Sequence, residues 1–355
     1  MITLVSGGLG FIGSAVVRRL LATTDDTVVN LDKVTYAASP ESLGDWKDHA
    51  RHAHVRADIC DTEAMRSVFA RWRPDRVMHL AAESHVDRSI DGPAQFVRTN
   101  VVGTQVLLEA ARGHWERLDA RGRDAFRFHQ VSTDEVFGAL GASDPAFDER
   151  TPYDPRSPYA ASKASSDHLV RAWRHTYGLP SFVTNTTNNY GPWQFPEKLI
   201  PLSGLNALQG LPLPLYGDGS NVRDWIHVDD HAEALCLALE RGRPGETYCL
   251  GARQERTNLR VAEAICDILD RLRPDPAGPR RRLISFVEDR PGHDFRYAMD
   301  PSRAERALGW KARRPFETGL EETLAWYLDH EPWWRAIRDR SYSGRRLGTA
   351  AAAAR

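Results

Sequence analysis

Lysine is scarce in this chain. Of 47 basic residues only Lys33, Lys47, Lys163, Lys198 and Lys311 are lysines, and the other 42 are arginines. That bias, with abundant alanine, fits a GC-rich genome, and it singles out the remaining lysines because a compact ammonium and a planar guanidinium are not interchangeable. Cysteine is rare too. Cys60, Cys236, Cys249 and Cys266 are widely spaced and form no C-x-x-C pair, which argues against a disulfide framework or a zinc site and favours a reducing cytoplasm. Long apolar runs are missing: the stretch from Met1 to Val5 is too short for a signal peptide, and nothing approaches the roughly 20 residues of a membrane span. The net charge of -1 gives no electrostatic reason to expect nucleic acid or a membrane as partner, so an anionic ligand must be held locally.

What is present is a 355-residue chain, 41% hydrophobic, able to bury a sizeable core. Its first 185 residues alternate short apolar runs with amphipathic stretches. Strands are expected near residues 2–5, 27–31, 54–57, 76–80, 126–131 and 181–185, and helices near 11–22, 62–72, 94–112 and 158–177. That rhythm predicts an α/β fold, a doubly wound parallel sheet of Rossmann type. Past Tyr190 proline and glycine break the pattern, and residues 186–342 are expected to form mainly a smaller mixed lobe with some chain returning to the sheet. Helical patterns recur near 231–240 and 259–272. Residues 273–282 look like a loop whose arginines are simply solvated, and 343–355 like a frayed tail.

Gly7, Gly10 and Gly13 follow the first apolar run at G-x-x-G-x-x-G spacing. Glycines there let backbone approach a pyrophosphate, and the next helix turns its free N–H groups toward the charge. Asp32, about 20 residues on, is placed to accept from an adenosine ribose and to repel a 2′-phosphate, which favours NAD over NADP; Lys33 beside it weakens that preference. Tyr159 and Lys163 lie four apart on one helical face, where an ammonium can lower a phenol's pKa and the phenolate can take a carbinol proton. The fifth strand runs into Ser132-Thr133-Asp134-Glu135, two carboxylates at the sheet's carboxyl edge. One acid and one base are the equipment of an elimination. His227 and His231 have the spacing of a metal pair, but no third ligand is evident, and no metal is expected.

With these motifs in this order the chain resembles the dTDP-glucose 4,6-dehydratases, NAD-dependent members of the extended short-chain dehydrogenases, from Gly7 to about Leu324. Further family-like segments are Leu80-Ala81-Ala82-Glu83-Ser84-His85-Val86-Asp87-Arg88-Ser89 and Asn188-Asn189-Tyr190-Gly191-Pro192, with Gly217-Asp218-Gly219 to Arg223-Asp224-Trp225 and Asp289-Arg290-Pro291-Gly292-His293 later. The resemblance implies that Thr133 binds the C4 hydroxyl, Asp134 donates and Glu135 accepts a proton, and Tyr159 and Lys163 form the redox pair. It implies NAD contacts at Gly7, Gly10, Phe11, Ile12, Gly13, Asp32, Lys33, Thr35, Asp58, Ile59, Leu80, Ala81, Ala82, Ser84, Thr99 and Asn189. For Asp58, capping of the following helix is an equal alternative. Substrate contacts are implied at Ser84, Thr133, Asn188, Glu197, Lys198, Leu199, Pro214, Leu215, Tyr216, Arg223, Asn258, Arg290 and His293. It further implies a homodimer paired through the helices near 94–112 and 158–177, and conversion of dTDP-glucose to its 4-keto-6-deoxy product. Two rivals remain: a nucleotide-sugar 4-epimerase, which needs Tyr159 and Lys163 but not Asp134 and Glu135, and a non-catalytic NAD-binding module. Ser6, Ala38-Ser39, Thr186-Thr187 and Phe295 depart from the family's usual residues, and of these Thr186, Thr187 and Phe295 bear on the choice of sugar nucleotide.

Overall fold

A computed structural model describes residues 1–340; the expected tail, 343–355, lies outside them. Twelve strands occur in chain order: β1 (Ile2–Ser6), β2 (Thr27–Asp32), β3 (His52–Arg56), β4 (Arg76–His79), β5 (Arg127–Thr133), β6 (Ser181–Thr186), β7 (Asn188–Tyr190), β8 (Leu213–Tyr216), β9 (Val222–His227), β10 (Thr247–Leu250), β11 (Glu255–Thr257) and β12 (Ile284–Val287). Seven of them form one sheet in the order β10-β6-β5-β4-β1-β2-β3. Every neighbouring pair in it is parallel. The strand order reverses between β1 and β4, and ligands of such sheets bind outside that crevice.

Both faces of the sheet are covered, so its central strands are buried on both sides. On one face the helices Phe11–Thr23 and Val228–Arg241 bury Val16, Val17, Leu20, Leu235 and Leu239. On the other the helices Thr62–Trp72, Gly103–Trp115 and Pro158–Tyr177 bury Phe69, Leu107, Leu108 and Val170. β10 pairs with β6 and Leu308 joins the first of these cores, so residues 228–250 and 302–308 are chain that returns to the sheet. The smaller lobe has its own core of Tyr190, Ile200, Trp225, Val261, Ile265, Phe316 and Leu320. Its strands form the sheet β11-β9-β7 and the pair β12-β8.

Two local readings need correction. The helix expected at 94–112 begins as Pro93–Phe96, passes through a π-helical segment, Val97–Val102, and continues as Gly103–Trp115. Periodicity misses such a widened turn. Here Asn100 spans it to the chain after β4: its Oδ1 accepts from Glu83 N at 2.8 Å, and its Nδ2 donates to Glu83 O at 3.0 Å and Ser162 Oγ at 2.8 Å. In the loop 273–282, Arg280 is not solvated. It is buried, donating Nε to Ala207 O at 3.1 Å and Nη1 to Asp270 at 2.8 Å.

Candidate active site

β1 delivers the chain to Gly7, which has a φ of +75°. A side chain there would strain the backbone, and its Cβ would lie 2.7 Å from Ala81 N. At Gly13 a Cβ would stand 2.0 Å from Gly7 O. Gly10 caps the helix Phe11–Thr23 without any side-chain hydrogen bond, so the amides of its first turn remain for a ligand. This turn has the open backbone a pyrophosphate needs, and its residues line a cleft of about 310 Å³. Gly13→Ala is therefore expected to weaken NAD binding more than about tenfold, or 1.4 kcal/mol, in titration calorimetry. Unchanged affinity would mean that the turn does not hold the cofactor.

At the next strand tip Asp32 accepts from Leu9 N at 3.1 Å and Val34 N at 2.7 Å, which fixes its carboxylate beside the glycines. Lys33 Nζ is 3.7 Å from Asp58 and 4.0 Å from Glu83. Its charge is thus shared with two carboxylates and is less available to a 2′-phosphate. Asp58 is not the helix cap: Asp61 accepts from Ala64 N at 2.9 Å, while Asp58 accepts from Cys60 N at 2.9 Å. Burial acts to raise the Asp58 carboxyl, but the Cys60 N–H and Lys33 outweigh it and hold it below its ordinary value. Asp58 itself does not line the cleft. Thr35, Ile59, Leu80, Ala81, Ala82, Ser84, Thr99 and Asn189 do, together with Asp32, Lys33 and the glycine turn.

The same cleft runs on to Thr133, Asp134, Glu135, Tyr159 and Lys163. Helix Pro158–Tyr177 is set by Pro158 in its first turn and by Ser157, whose hydroxyl accepts from Ala160 N at 3.0 Å. Lys163 is buried, and its Nζ donates to Val131 O at 2.8 Å. The expected lowering of the Tyr159 phenol is not found here. Burial, and then the charge of Glu135, push it above its ordinary value. One turn beyond Lys163, the buried Asp167 accepts from Ser132 Oγ at 2.7 Å and Tyr153 OH at 2.9 Å, and its charge opposes the effect of burial on Lys163.

Thr133 ends β5 and caps a single 3₁₀ turn, Asp134–Phe137, its Oγ1 accepting from Glu135 N at 3.3 Å. Asn185 Nδ2 holds the Thr133 carbonyl at 3.0 Å. The two carboxyl groups that follow differ sharply. Asp134 is 2% exposed, its Oδ2 is buried without a hydrogen-bond partner among the described residues, and burial plus the neighbouring Glu135 push its carboxyl up to about 8. Glu135 is half-buried; burial leaves it raised as well, and Arg290, Lys198 and Arg223 offset that only in part. A carboxyl that burial favours as the neutral acid thus stands beside one that cations favour as the carboxylate.

Of the expected substrate residues, Ser84, Thr133, Asn188, Glu197 and Lys198 line this cleft, whereas Leu199, Pro214, Leu215, Tyr216, Arg223, Asn258, Arg290 and His293 do not. Several of them are already engaged. Glu197 accepts from Arg88 Nε at 2.8 Å and Tyr36 OH at 3.0 Å, and Lys198 Nζ donates to Ser84 O at 2.8 Å. Arg223 gives Nη1 to the Val222 and Phe295 carbonyls and Nη2 to Asp294 O, so its guanidinium pins the loop at 294–295. His293 is bonded to Asp289 at 2.6 Å. Leu215 is 1% exposed on the inward side of β8, so its side chain meets core while Pro214 and Tyr216 are half-buried. His231 turns Nδ1 to Asn189 Oδ1 at 2.8 Å, and among the described residues no group of three or more His, Cys, Asp or Glu could hold a metal ion. Sequence reasoning missed Asp167 and Asp87. Asp167 repeats the spacing of four from Tyr159 to Lys163, and Asp87 lies inside a family-like segment.

The chain matches the model of the GDP-mannose 4,6 dehydratase family over residues 4–323. It is 56% identical over 349 residues to a dTDP-glucose 4,6-dehydratase of Neisseria meningitidis, covering 98% of each chain. A dTDP-glucose 4,6-dehydratase of Escherichia coli is 55% identical over 347 residues, 96% of each. Among solved structures, a dTDP-glucose 4,6-dehydratase from Streptomyces venezuelae with NAD and TYD bound superimposes with a TM-score of 0.86 at 43% identity, covering 95% of this chain and 100% of that one. A UDP-glucose 4-epimerase from Thermotoga maritima shares the fold at a TM-score of 0.81 but only 28% identity, over 93% of this chain and 100% of that one. The chain therefore belongs to the GDP-mannose 4,6 dehydratase family and, within it, to the dTDP-glucose 4,6-dehydratases.

Proposed function

We propose that this chain dehydrates dTDP-glucose to dTDP-4-keto-6-deoxyglucose, with Tyr159, Glu135 and Asp134 moving the protons. The observation that carries this reading is the unequal pair at the strand tip, the buried Asp134, its carboxyl pushed up to about 8, beside the half-buried Glu135, which Arg290, Lys198 and Arg223 favour as a carboxylate. A 4-epimerase has no use for either. The glycine cradle, Asp32, and the pairing of Lys33 with Asp58 fit NAD. When bound, NAD supplies the acceptor that takes hydride from C4 and returns it to C6, and its charged nicotinamide adds a cation that favours the phenolate.

Thr133 holds the C4 hydroxyl and Tyr159 takes its proton as the carbinol becomes a ketone. The ketone acidifies C5–H. Glu135 removes that proton, and Asp134 gives its own to the departing C6 hydroxyl, so that one water leaves and a C5=C6 double bond forms. Glu135 then returns a proton to C5. Lys163, buried one turn after Tyr159 on the same helix, is pulled below its ordinary value by burial, and the charge of Asp167 works against that and favours its ammonium.

Val97, Val102 and Tyr177 are exposed at 52%, 45% and 43% on the mutually packed helical segments 93–115 and 158–177. Exposed apolar side chains on these helices support a homodimer joined through them. Four free cysteines support work in the reducing cytoplasm. Nothing in the charge balance favours nucleic acid, and no described helix is long and apolar enough to cross a membrane. The test is separate incubation with dTDP-glucose, UDP-glucose and GDP-mannose in deuterated water, with mass detection. Loss of water from dTDP-glucose and deuterium at C5 are expected. Dehydration of only a non-thymidine substrate overturns the substrate assignment, and an unlabelled C5 overturns the elimination.

A further inference from the structure

Asp87 joins the two sides of the molecule. It lies in the short helix Val86–Asp91, three residues after Ser84 at the cleft wall, and is 6% exposed. Its Oδ1 accepts from Arg290 Nη1 at 2.9 Å and its Oδ2 from the Tyr216 hydroxyl at 2.8 Å. Both donors belong to the smaller lobe, and the Tyr216 ring centroid lies 5.9 Å from the Arg290 guanidinium carbon. One carboxylate thus orients two side chains far away in sequence.

Among the described residues one nitrogen holds the Arg290 guanidinium. Nη1 is committed to Asp87, whereas Nε is buried and has no hydrogen-bond partner among the described residues. A buried guanidinium donor left in that state costs free energy unless a ligand completes it. The Nε and Nη2 edge of a guanidinium is a fork matched to two oxygens of a phosphate. The surrounding charge suits an anion, since the cations Arg223 and Lys198 both interact electrostatically with Arg290. Asp87 stays ionised in this setting. Burial works against its charge, but Arg290, His85 and Tyr216 together hold its carboxyl below the ordinary range.

We propose that Asp87 is a positioning residue for nucleotide binding: by fixing Arg290 through Nη1 it aims the opposite guanidinium edge at the diphosphate of the sugar nucleotide. Tyr216 braces the same carboxylate. This rests on the dTDP-sugar reading above, and it adds a residue that does not touch the ligand itself. Losing Asp87 frees Arg290 to turn away, and a hydrogen bond to a charged group contributes about 1.5–3 kcal/mol, or roughly 10- to 100-fold in affinity.

The experiment is titration calorimetry of dTDP into purified NAD-loaded enzyme, wild type against Asp87→Asn and Tyr216→Phe, with thermal unfolding as a check on folding. Asp87→Asn is expected to weaken dTDP about 10- to 100-fold and to raise KM for dTDP-glucose by a similar factor. Tyr216→Phe, which leaves the charge in place, is expected to lose less, and it carries the test if the first variant does not fold. Thymidine, followed by ligand-observed NMR, has no phosphate and should keep its affinity in both. Equal dTDP affinity in wild type and both variants overturns the proposal, as does an equal loss for dTDP and thymidine. Failure of the wild type to bind dTDP would instead strike the functional reading on which it rests.

Discussion

Glu135→Gln is expected to cut formation of the 4-keto-6-deoxy product by about 10²- to 10⁴-fold, the usual contribution of a positioned base. The amide keeps the size of the side chain and its place between Asp134 and the cations, so the loss falls on one step. Oxidation at C4 needs Tyr159 and Thr133, which the substitution leaves in position. Quenching with borodeuteride should therefore trap a 4-ketone that still carries its C6 hydroxyl, as sugar labelled at C4. Tyr159→Phe should give the opposite result: product falls by a similar factor and no ketone is trapped, because the carbinol has lost its base. Product formed at the wild-type rate by Glu135→Gln would end the assignment of Glu135 as the C5 base.

The contrast works only because the two groups lie in one cleft, and that much was legible in the sequence. Glycines at fixed spacing after an apolar strand can be explained locally, since a Cβ at Gly13 would meet Gly7 O at 2.0 Å. The spacing of Tyr159 and Lys163 is a property of any helix. Thr133, Asp134 and Glu135 were placed at the ligand edge by the strand before them, and the parallel sheet puts that edge beside β1.

What stayed hidden depends on partners distant in sequence. Nothing local tells that Lys163 Nζ turns to Val131 O, that Arg223 spends two nitrogens on its own lobe's carbonyls, or that Glu197 is met by Arg88 and Tyr36. A family match names such residues without saying which of their atoms are free. The inward turn of Leu215 is different, because the period of two in β8 could have placed it beside Leu213 on the core side. The π-helical segment at Val97–Val102 has no composition cue, and only its consequence, Asn100 reaching Glu83 and Ser162, shows what it does.

The buried acid makes the second large prediction. Asp134 must carry its proton to protonate the C6 hydroxyl, and its carboxyl, raised above the usual value, loses that proton as pH rises through about 8. Product formation by the wild type should thus fall on the alkaline side of about pH 8, by about tenfold for each further unit, while the acid limb belongs to other groups. Asp134→Asn removes the acid at every pH. Its product rate should drop by about 10²- to 10⁴-fold and lose that alkaline limb. Because Glu135 is intact, dTDP-glucose recovered from this variant in deuterated water should still gain deuterium at C5, exchange without elimination. In Glu135→Gln that exchange should vanish, and the alkaline limb of any residual activity should move to lower pH, since the like charge that helps raise Asp134 is gone. An unchanged alkaline limb in Asp134→Asn, measured over the range in which the protein stays folded, would assign the leaving-group proton to another residue.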